Sequence, residues 1–366
     1  MKKKRVALLG ATGSIGKSSL DVISKHKDIF DIVLLSAHSR ECELEKLKSN
    51  WSSAICVLSG EEGGREKLIK AIGSAEPQIT INGISGSAGL EPSIAAIKSG
   101  SNLALANKET VVMAGKLVLD LAKEKNVKII PVDSEHSAIF HLIEGYEKTK
   151  VINEIILTAS GGPFRDYSLR EMEKASVEDA LCHPTWNMGP KITVDSASMA
   201  NKGLEIIEAC ALFNMPEEKI KVVIHPQSIV HSMIRLRNGV IYAQLSKPDM
   251  RHPIQDALFW PDTPPLKLDP LYFDSLTLDF KKCDNEKFPM IKYAREAARL
   301  KDLYPCAYNA ANEIAAAAFL DKKIGFTDIP KLTENVLQKD WTCGSLCLEA
   351  VLQADTDAKK YAKSLI

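Results

Sequence analysis

Three glycines with a regular spacing place the strongest constraint on what this 366-residue chain can fold into. Gly10, Gly13 and Gly16 follow the short apolar run Val6–Leu9 and open Ile15–Lys25, whose apolar residues have helical spacing. Glycines at a strand-to-helix turn let backbone N–H groups approach a pyrophosphate, and the helix N-terminus favours its negative charge. The spacing is G-x-x-G-x-x-G, whereas the standard dinucleotide-binding motif is G-x-G-x-x-G. The glycines therefore indicate a dinucleotide site only together with the strand before them and the helix after them.

Short apolar runs and helical segments keep alternating to about residue 150. The further predicted strands are Ile32–Ala37, Ala54–Leu58, Ile79–Ile81, Leu103–Ala106 and Lys128–Val132. Strands of this kind between helices are typical of a parallel sheet covered on both faces. We therefore expect an α/β fold, with a Rossmann-like, doubly wound parallel sheet over residues 1–150.

The pattern becomes mixed after residue 150. Val230–Arg237 and Val240–Leu245 flank Asn238-Gly239, a strong signal for a β-hairpin. Ser168 and Glu171 have the spacing of a helix capping box. These features predict an α+β domain over residues 151–259.

Proline and then helical periodicity mark the last part of the chain. Pro261–Pro265 breaks the pattern, so residues 260–285 are predicted as an extended linker. Residues 286–366 are predicted as a helical bundle. Its predicted helices are Phe288–Leu300, Ala307–Leu320, Asp328–Leu337, Leu346–Gln353 and Ala358–Leu365.

Charge and composition exclude several classes of function. With 47 Lys+Arg and 47 Asp+Glu the formal net charge is zero, which argues against a general nucleic-acid or membrane-surface binder. No segment reaches the roughly 20 apolar residues of a membrane helix, and the apolar run behind the basic start is too short for a signal peptide. The scattered cysteines are interpreted as reduced thiols, so a cytoplasmic protein without zinc is expected.

Three carboxylates stand out as metal ligands. Asp133 and Glu135 follow the predicted strand Lys128–Val132, and residues two apart on an extended chain point to the same side. Glu205 lies on a predicted helix that runs to Phe213. Carboxylate oxygens suit Mg²⁺ or Mn²⁺. Taken singly, these residues are more typical of an acidic turn, a helix cap or a surface ion pair.

A phosphate site is predicted close to the third carboxylate. Asn201 and Lys202 lie at the helix N-terminus, where an anion is favoured, and Glu205 shares a face with Asn201. Ser160 follows a strand, and Ser196 lies just before the helix. Serines at such positions are more often caps than ligands, so they count here only as part of the set.

The end of the second predicted strand favours one cofactor. An NAD site places Asp or Glu there, whereas this chain has His38, Ser39 and Arg40, which suit a 2′-phosphate. We therefore prefer NADP, although Arg40 could merely solvate a helix start. Asn107, Lys108 and Glu109 end another strand at the same predicted crevice.

One polar loop is predicted to cover the site. His183–Pro190 mixes His, Trp, Met, Gly and Pro, which suits a lid that excludes water. An ordinary loop whose Trp186 packs on its own domain is the alternative.

Taken together, these motifs resemble the 1-deoxy-D-xylulose 5-phosphate reductoisomerase family over essentially the whole chain. The resemblance rests on motifs that occur in the family's order: Gly10–Gly16, Leu105–Glu109, Val132–Ser137, Ser160–Phe164, Asn201–Glu205, His225–Ser228, Pro248–Met250 and Asn309–Glu313.

The resemblance implies a reaction. A ketose phosphate rearranges to a branched aldehyde, which NADPH reduces to 2-C-methyl-D-erythritol 4-phosphate in non-mevalonate isoprenoid biosynthesis. By similarity, Asp133, Glu135 and Glu205 bind one Mg²⁺, Mn²⁺ or Co²⁺ ion. The resemblance also implies that residues 151–259 are the catalytic and dimerisation domain, through which a homodimer is built.

The resemblance further assigns residues to the sugar phosphate substrate and to NADPH. Lys108, Asp133, Glu135, His183 and Glu205 are the implied catalytic residues. The implied substrate-binding residues are Lys108, Ser134, Glu135, Ser160, His183, Ser196, Asn201, Lys202 and Glu205, with Trp186 and Met188 in the closing loop. The implied NADPH-binding residues are Thr12, Gly13, Ser14, Ile15, Ala37, His38, Ser39, Asn107, Glu109 and Gly189.

Two alternatives remain open on the sequence. Another NADP-dependent enzyme of the semialdehyde or homoserine dehydrogenase type would share the domain plan, yet would not need a three-carboxylate metal centre. The second alternative is a redox-sensing scaffold that binds NADP without turnover. It is disfavoured because the chain retains all the proposed metal and phosphate ligands Asp133, Glu135, Lys202 and Glu205.

Overall fold

The protein consists of two compact units in the computed structural model. The structure describes residues 3–144, 151–186, 188–263, 265 and 267–366. The first unit comprises Met1–Thr110, Val118–Phe140 and Asp249–Pro270. The second comprises Val111–Leu117, His141–Pro248 and Leu271–Ile366.

A six-stranded parallel sheet forms the first unit. Its strands are β1 (Lys4–Leu9), β2 (Phe30–Ala37), β3 (Ile55–Leu58), β4 (Ile79–Asn82), β5 (Asn102–Leu105) and β6 (Ile129–Pro131). The strand order is β3-β2-β1-β4-β5-β6, and Leu9 at the end of β1 pairs with Asn82 at the end of β4. This order places a topological switch point between β1 and β4, and it confirms the predicted Rossmann-like fold.

Helices connect these parallel strands, as crossovers in a parallel sheet require. The connecting helices are α1 (Ser14–Ser24), α2 (Glu41–Asn50), α3 (Gly64–Ala75), α4 (Leu90–Lys98) and α5 (Lys108–Glu124), and α6 (Ser134–Glu144) follows the last strand, β6. A short 3₁₀ helix, Ser87–Gly89, precedes α4. Val6, Leu8, Ile32 and Ile81 are fully buried in the core of the sheet.

A mixed five-stranded sheet forms part of the second unit. Its strands are β7 (Ile152–Ala159), β8 (Ile220–Ile224), β9 (Val230–Leu236), β10 (Ile241–Leu245) and β11 (Lys281–Lys282), in the order β10-β9-β7-β8-β11. β7 and β8 are parallel, and the other neighbours are antiparallel. The β9–β10 pair confirms the hairpin predicted from Asn238-Gly239.

Helices complete the second unit. They are α7 (Leu169–Met172), α8 (Val177–Leu181), α9 (Pro190–Ala197), α10 (Ala200–Leu212), α12 (Pro289–Leu300), α13 (Tyr304–Leu320), α14 (Asp328–Leu337) and α15 (Leu348–Ser364). The capping box predicted at Ser168 and Glu171 begins α7. The prediction of two last helices is wrong, because α15 is continuous. Ala354 and Ala358 are buried, and the Lys359–Asp355 ion pair of 2.9 Å spans the predicted break.

The remaining helix, α11 (Arg251–Phe259), belongs to the first unit. Ile254, Ala257 and Leu258 on its apolar face lie in the core of the parallel sheet. The compact units therefore do not follow the sequence boundary at residue 259. Among the described helices, none combines the length and the apolar character needed to cross a bilayer.

Candidate functional site

The glycine turn follows β1 and begins α1. Gly10 has φ +77°, and a Cβ there would lie 2.8 Å from the Gly83 carbonyl oxygen. A Cβ on Gly16 would lie 2.4 Å from the Ala11 carbonyl oxygen, so helix and turn approach each other as only glycine allows. In the described part of the chain, no side chain caps α1 at Gly13. The first backbone N–H groups of α1 therefore suit an anion.

The other predicted residues of this turn surround the helix N-terminus. Ser14 is exposed, and Thr12 is buried. The side chain of Ile15 packs against Gly83: a Cβ added to Gly83 would lie 3.1 Å from the Cβ of Ile15. Backbone groups and the Ser14 hydroxyl are thus the parts of the turn open to a ligand.

The predicted 2′-phosphate segment lies between β2 and α2. Ala37 ends β2 with its side chain buried, so only its backbone can serve a ligand. His38, Ser39 and Arg40 are exposed. The Arg40 guanidinium donates to the Thr12 carbonyl oxygen at 3.0 Å, which ties this segment to the glycine turn. A guanidinium held at this place is suited to a phosphate.

A loop that sequence reasoning missed follows β4. Residues 83–86 lie beside the glycine turn because β4 pairs with β1. The Asn107 amide donates to the carbonyl oxygens of Ile84 at 2.7 Å and Gly86 at 2.8 Å, and Glu109 accepts from the Gly86 N–H at 3.2 Å. Asn107 also caps α5. Asn107 and Glu109, both predicted cofactor residues, thus hold the loop 83–86 in place. Only knowledge of the strand order could have indicated that this loop lies beside the glycine turn.

Asp133 and Glu135 lie where β6 gives way to α6. The strand ends at Pro131 and the helix begins at Ser134, so the expectation of an extended chain here is wrong. The Asp133 carboxylate instead accepts the backbone N–H of Glu135 at 3.2 Å, which turns the chain into the helix. A carboxylate oxygen of each residue still lies within 4.8 Å of the other. The Ser134 hydroxyl donates to Glu135.

Two basic side chains hold Asp133. The Lys108 ammonium lies 2.6 Å from one carboxylate oxygen, and His136 Nδ1 lies 3.0 Å from the other. Burial opposes ionisation of Asp133, but Lys108 and His136 together hold its pKa well below the usual range. The carboxylate is therefore ionised at neutral pH and has a fixed orientation. No signal in the sequence indicated this pairing, which joins α5 to the start of α6.

Asn201, Lys202 and Glu205 share one face of α10 in the second unit, as their spacing predicts. The Asn201 amide and the Lys202 ammonium both donate to the Glu205 carboxylate. The side chains of Lys202 and Glu205 are only 4% and 1% exposed. Two buried opposite charges in contact are stable only as a pair. The cation near the helix N-terminus and the carboxylate one turn later are therefore fixed in place.

Ser160, His183 and Ser196 come together in the second unit. His183 Nε2 lies 3.1 Å from the hydroxyl oxygens of Ser160 and Ser196. Ser160 follows β7, as predicted. Ser196 lies just before α10, as predicted, and it is part of a further helix, α9, which begins at Pro190.

The protonation state of His183 is set by its neighbours. Its Nδ1 accepts the backbone N–H groups of Thr185 at 3.1 Å and Trp186 at 2.9 Å, so the ring proton belongs on Nε2. Burial, and next the positive charge of Arg165, lower the pKa of His183 to about 4. His183 is therefore a neutral donor toward the two serine hydroxyls.

The described residues of the predicted lid that precede α9, 183–186 and 188–189, form neither helix nor strand. Trp186 and Met188 are half-buried, Gly189 is exposed as the N-cap of α9, and Asn187 lies outside the described residues. Closure of this segment remains a prediction.

Comparisons with known proteins agree along the whole chain. Models described as 1-deoxy-D-xylulose 5-phosphate reductoisomerase match residues 6–63 and 57–115, and models of its C-terminal domains match residues 129–213 and 245–361. A protein of that name from Pelodictyon phaeoclathratiforme is 46% identical, with 99% of this chain and 100% of the relative covered. One from Treponema denticola is also 46% identical, with 100% and 98% covered.

Solved structures of such enzymes have the same fold. The 1-deoxy-D-xylulose 5-phosphate reductoisomerase from Zymomonas mobilis, in complex with NADPH, is 39% identical with a TM-score of 0.88, covering 100% of this chain and 99% of that one. A DOX-P reductoisomerase in complex with NADPH, fosmidomycin and magnesium is 38% identical with a TM-score of 0.91, covering 99% and 98%. The chain belongs to the 1-deoxy-D-xylulose 5-phosphate reductoisomerase family.

Proposed function

We propose that this protein converts 1-deoxy-D-xylulose 5-phosphate to 2-C-methyl-D-erythritol 4-phosphate, using NADPH and one divalent cation. The observation that carries the proposal is the buried group Asn201, Lys202 and Glu205, in which a cation suited to a phosphate and a carboxylate suited to a metal share one helix face. Membership of the family supplies the reaction. A homoserine-type dehydrogenase would not need this group.

NADPH fits the glycine turn and its surroundings. The close approaches at Gly10 and Gly16 and the uncapped α1 N-terminus among the described residues suit its pyrophosphate. Exposed Arg40, His38 and Ser39 would bind the 2′-phosphate. Asn107 and Glu109 would shape the loop 83–86 against the cofactor, and Gly189 would contact it from the lid. When bound, NADPH supplies the hydride for the reduction.

Asp133, Glu135 and Glu205 offer a donor set that fits Mg²⁺, Mn²⁺ or Co²⁺. Each is a carboxylate, and Lys108 and His136 keep Asp133 ionised although it is buried. When bound, the ion supplies Lewis-acid polarisation of the substrate's ketone and hydroxyl oxygens. Ser134 orients Glu135 toward this role.

The protein's own side chains would then fix the two ends of the substrate. Ser160, Ser196, Asn201 and Lys202 would bind the phosphate, with neutral His183 as a further N–H donor. Lys108 would stabilise the negative charge that develops on the oxygen of the reacting carbon. Because its ammonium is buried, water screens this electrostatic attraction little. The segment from His183 to Met188 would exclude water.

The quaternary and cellular setting are part of the proposal. Val240, Ile241 and Tyr242 leave an apolar, more than one-third exposed strip on the β9–β10 hairpin, which supports a homodimer through the domain 151–259. Light scattering measures the oligomeric state directly.

Each predicted domain has a proposed role. Residues 1–150 would bind NADPH, residues 286–366 would support the site, and residues 260–285 would link the domains. The eight cysteines are free thiols, which persist in a reducing compartment, and the reaction needs NADPH; both favour a location in the cytoplasm.

The absorbance of NADPH in the presence of 1-deoxy-D-xylulose 5-phosphate tests the proposal. We expect decay with Mn²⁺ present, arrest by excess EDTA and recovery when Mn²⁺ is added back. Decay that continues in EDTA would support a metal-independent dehydrogenase. No decay, with NADPH binding verified by fluorescence, would leave only the cofactor site standing.

A further inference from the structure

One sequence motif has no role in the site described so far. Asn309–Glu313 lies on α13, most of whose residues are buried. The side chain of Asn312 is fully buried, and its amide donates to the Asp195 carboxylate at 2.8 Å. A buried bond from an amide to a carboxylate contributes more than a bond between neutral groups, and it fixes the direction of both partners.

Asp195 lies directly before Ser196 on α9. Its second carboxylate oxygen lies 2.7 Å from the Lys191 ammonium, one turn earlier on the same helix. Asn312 therefore ties Asp195 to a different helix. Because successive residues on a helix differ by about 100°, holding Asp195 also sets the direction of the Cα–Cβ bond of Ser196. His183 Nε2, 3.1 Å from the Ser196 hydroxyl oxygen, then orients the hydroxyl itself.

Tyr308 extends the same face of α13 to the start of α10. It lies one turn before Asn312, and its hydroxyl oxygen is 3.4 Å from the Ala200 carbonyl oxygen and 3.2 Å from that of Met290. A Cβ on Gly203 would collide with this hydroxyl. α13 thus holds both α9, which carries Ser196, and the N-terminal turn of α10, which carries Asn201 and Lys202.

We propose that Asn312 is a positioning residue for phosphate recognition: through Asp195 it fixes the rotation of α9 and so aims the Ser196 hydroxyl at the substrate's phosphate. The inference rests on the proposed function for the identity of the phosphate compound. Asn312 itself touches no substrate; its effect passes through Asp195.

The full chain with Asn312→Leu, which keeps the branching of the side chain and removes the donor, tests the role. We expect the KM for 1-deoxy-D-xylulose 5-phosphate to rise about tenfold, with kcat changed less than about threefold and NADPH affinity unchanged. The dissociation constant for inorganic phosphate, followed by tryptophan fluorescence, rises by a similar factor. Should this variant not fold, Asn312→Ala, which removes the donor without adding volume, replaces it with the same expectation.

Two further variants separate positioning from general support. Asn309→Leu removes another buried amide from α13 that bonds to Glu313 at 3.2 Å, and it leaves phosphate affinity unchanged. The exchange Asp195→Asn with Asn312→Asp restores a donor–acceptor pair in reverse and recovers most of the lost phosphate affinity.

Unchanged phosphate affinity in the Asn312 variants would overturn the inference, and so would an equal loss in Asn309→Leu or no recovery in the exchange. A wild-type protein that binds phosphate but does not oxidise NADPH with the sugar phosphate contradicts the proposed function, while the phosphate titration still decides the role of Asn312.

Discussion

The two units present their charged groups in different ways. Around the glycine turn, Arg40 is 56% exposed and reaches the turn through a single backbone contact. On α10, by contrast, Lys202 and Glu205 are almost fully buried and paired with each other. An exposed charge is screened by water and salt, whereas removing one member of a buried pair leaves an uncompensated charge. Substitutions in the second unit should therefore cost much more than substitutions at the cofactor segment.

Glu205→Gln should have the largest effect. It removes a proposed metal ligand and the partner of Lys202, so turnover should fall at least about a hundredfold while NADPH still binds. Steady-state rates measure the turnover, and a fluorescence titration measures the binding of NADPH. Glu217→Gln, at a half-buried ion pair with Arg295, is the control and keeps its activity. Near-normal turnover of Glu205→Gln would remove Glu205 from the metal site.

Lys202→Ala should come next. Losing a charge-assisted bond to the phosphate weakens substrate binding by about 1.5–3 kcal/mol, visible as a higher KM. Lys359→Ala breaks ion pairs with Glu313 and Asp355 elsewhere in the second unit and leaves the KM unchanged. If the KM of Lys202→Ala equals that of the wild type, the phosphate binds elsewhere.

Arg40→Ala should have a smaller and more selective effect. The affinity for NADPH should fall about five- to tenfold and that for NADH should not change, because only NADPH has the 2′-phosphate. Rising salt should diminish the difference. Arg65→Ala is matched in exposure, at 56%, and should have no effect. An equal loss for both nucleotides would place Arg40 outside the 2′-phosphate site.

The smallest effect concerns protonation of His183. Its ring resonance, assigned with His183→Gln, should titrate near pH 4 in the free protein, because burial disfavours the charged ring. Since the unfolded chain protonates at about pH 6.5, the contribution of His183 to the free energy of unfolding is complete above that pH and is lost as the pH falls toward 4. A midpoint near 6.5 would contradict the neutral donor role.

The comparison also explains which parts of the molecule the sequence could reveal. Local signals sufficed for the parallel sheet, because each strand is a short apolar run followed by its own helix. The hairpin at Asn238-Gly239 was equally local. The same holds for Asn201 and Glu205, whose shared face follows from helical spacing alone.

Contacts between distant segments could not be predicted in this way. The Lys108–Asp133 pair, the loop 83–86 beside Gly10, and the Asn312–Asp195 bond depend on which elements become neighbours. The local conformation at Asp133 was also misjudged, because its carboxylate begins a helix where the pattern favoured an extended chain. Sequence spacing thus selected residue types, while tertiary packing determines their partners and charges.

The fate of the substrate's carbon skeleton tests the central claim most directly. 1-Deoxy-D-xylulose 5-phosphate labelled with carbon-13 at the ketone carbon and at the carbon two positions further along is incubated with the protein, NADPH and Mn²⁺. Because rearrangement joins these two carbons, the product should show a one-bond carbon–carbon coupling that the substrate lacks. A reduced product with an unbranched skeleton and no such coupling would identify a simple dehydrogenase and contradict the account.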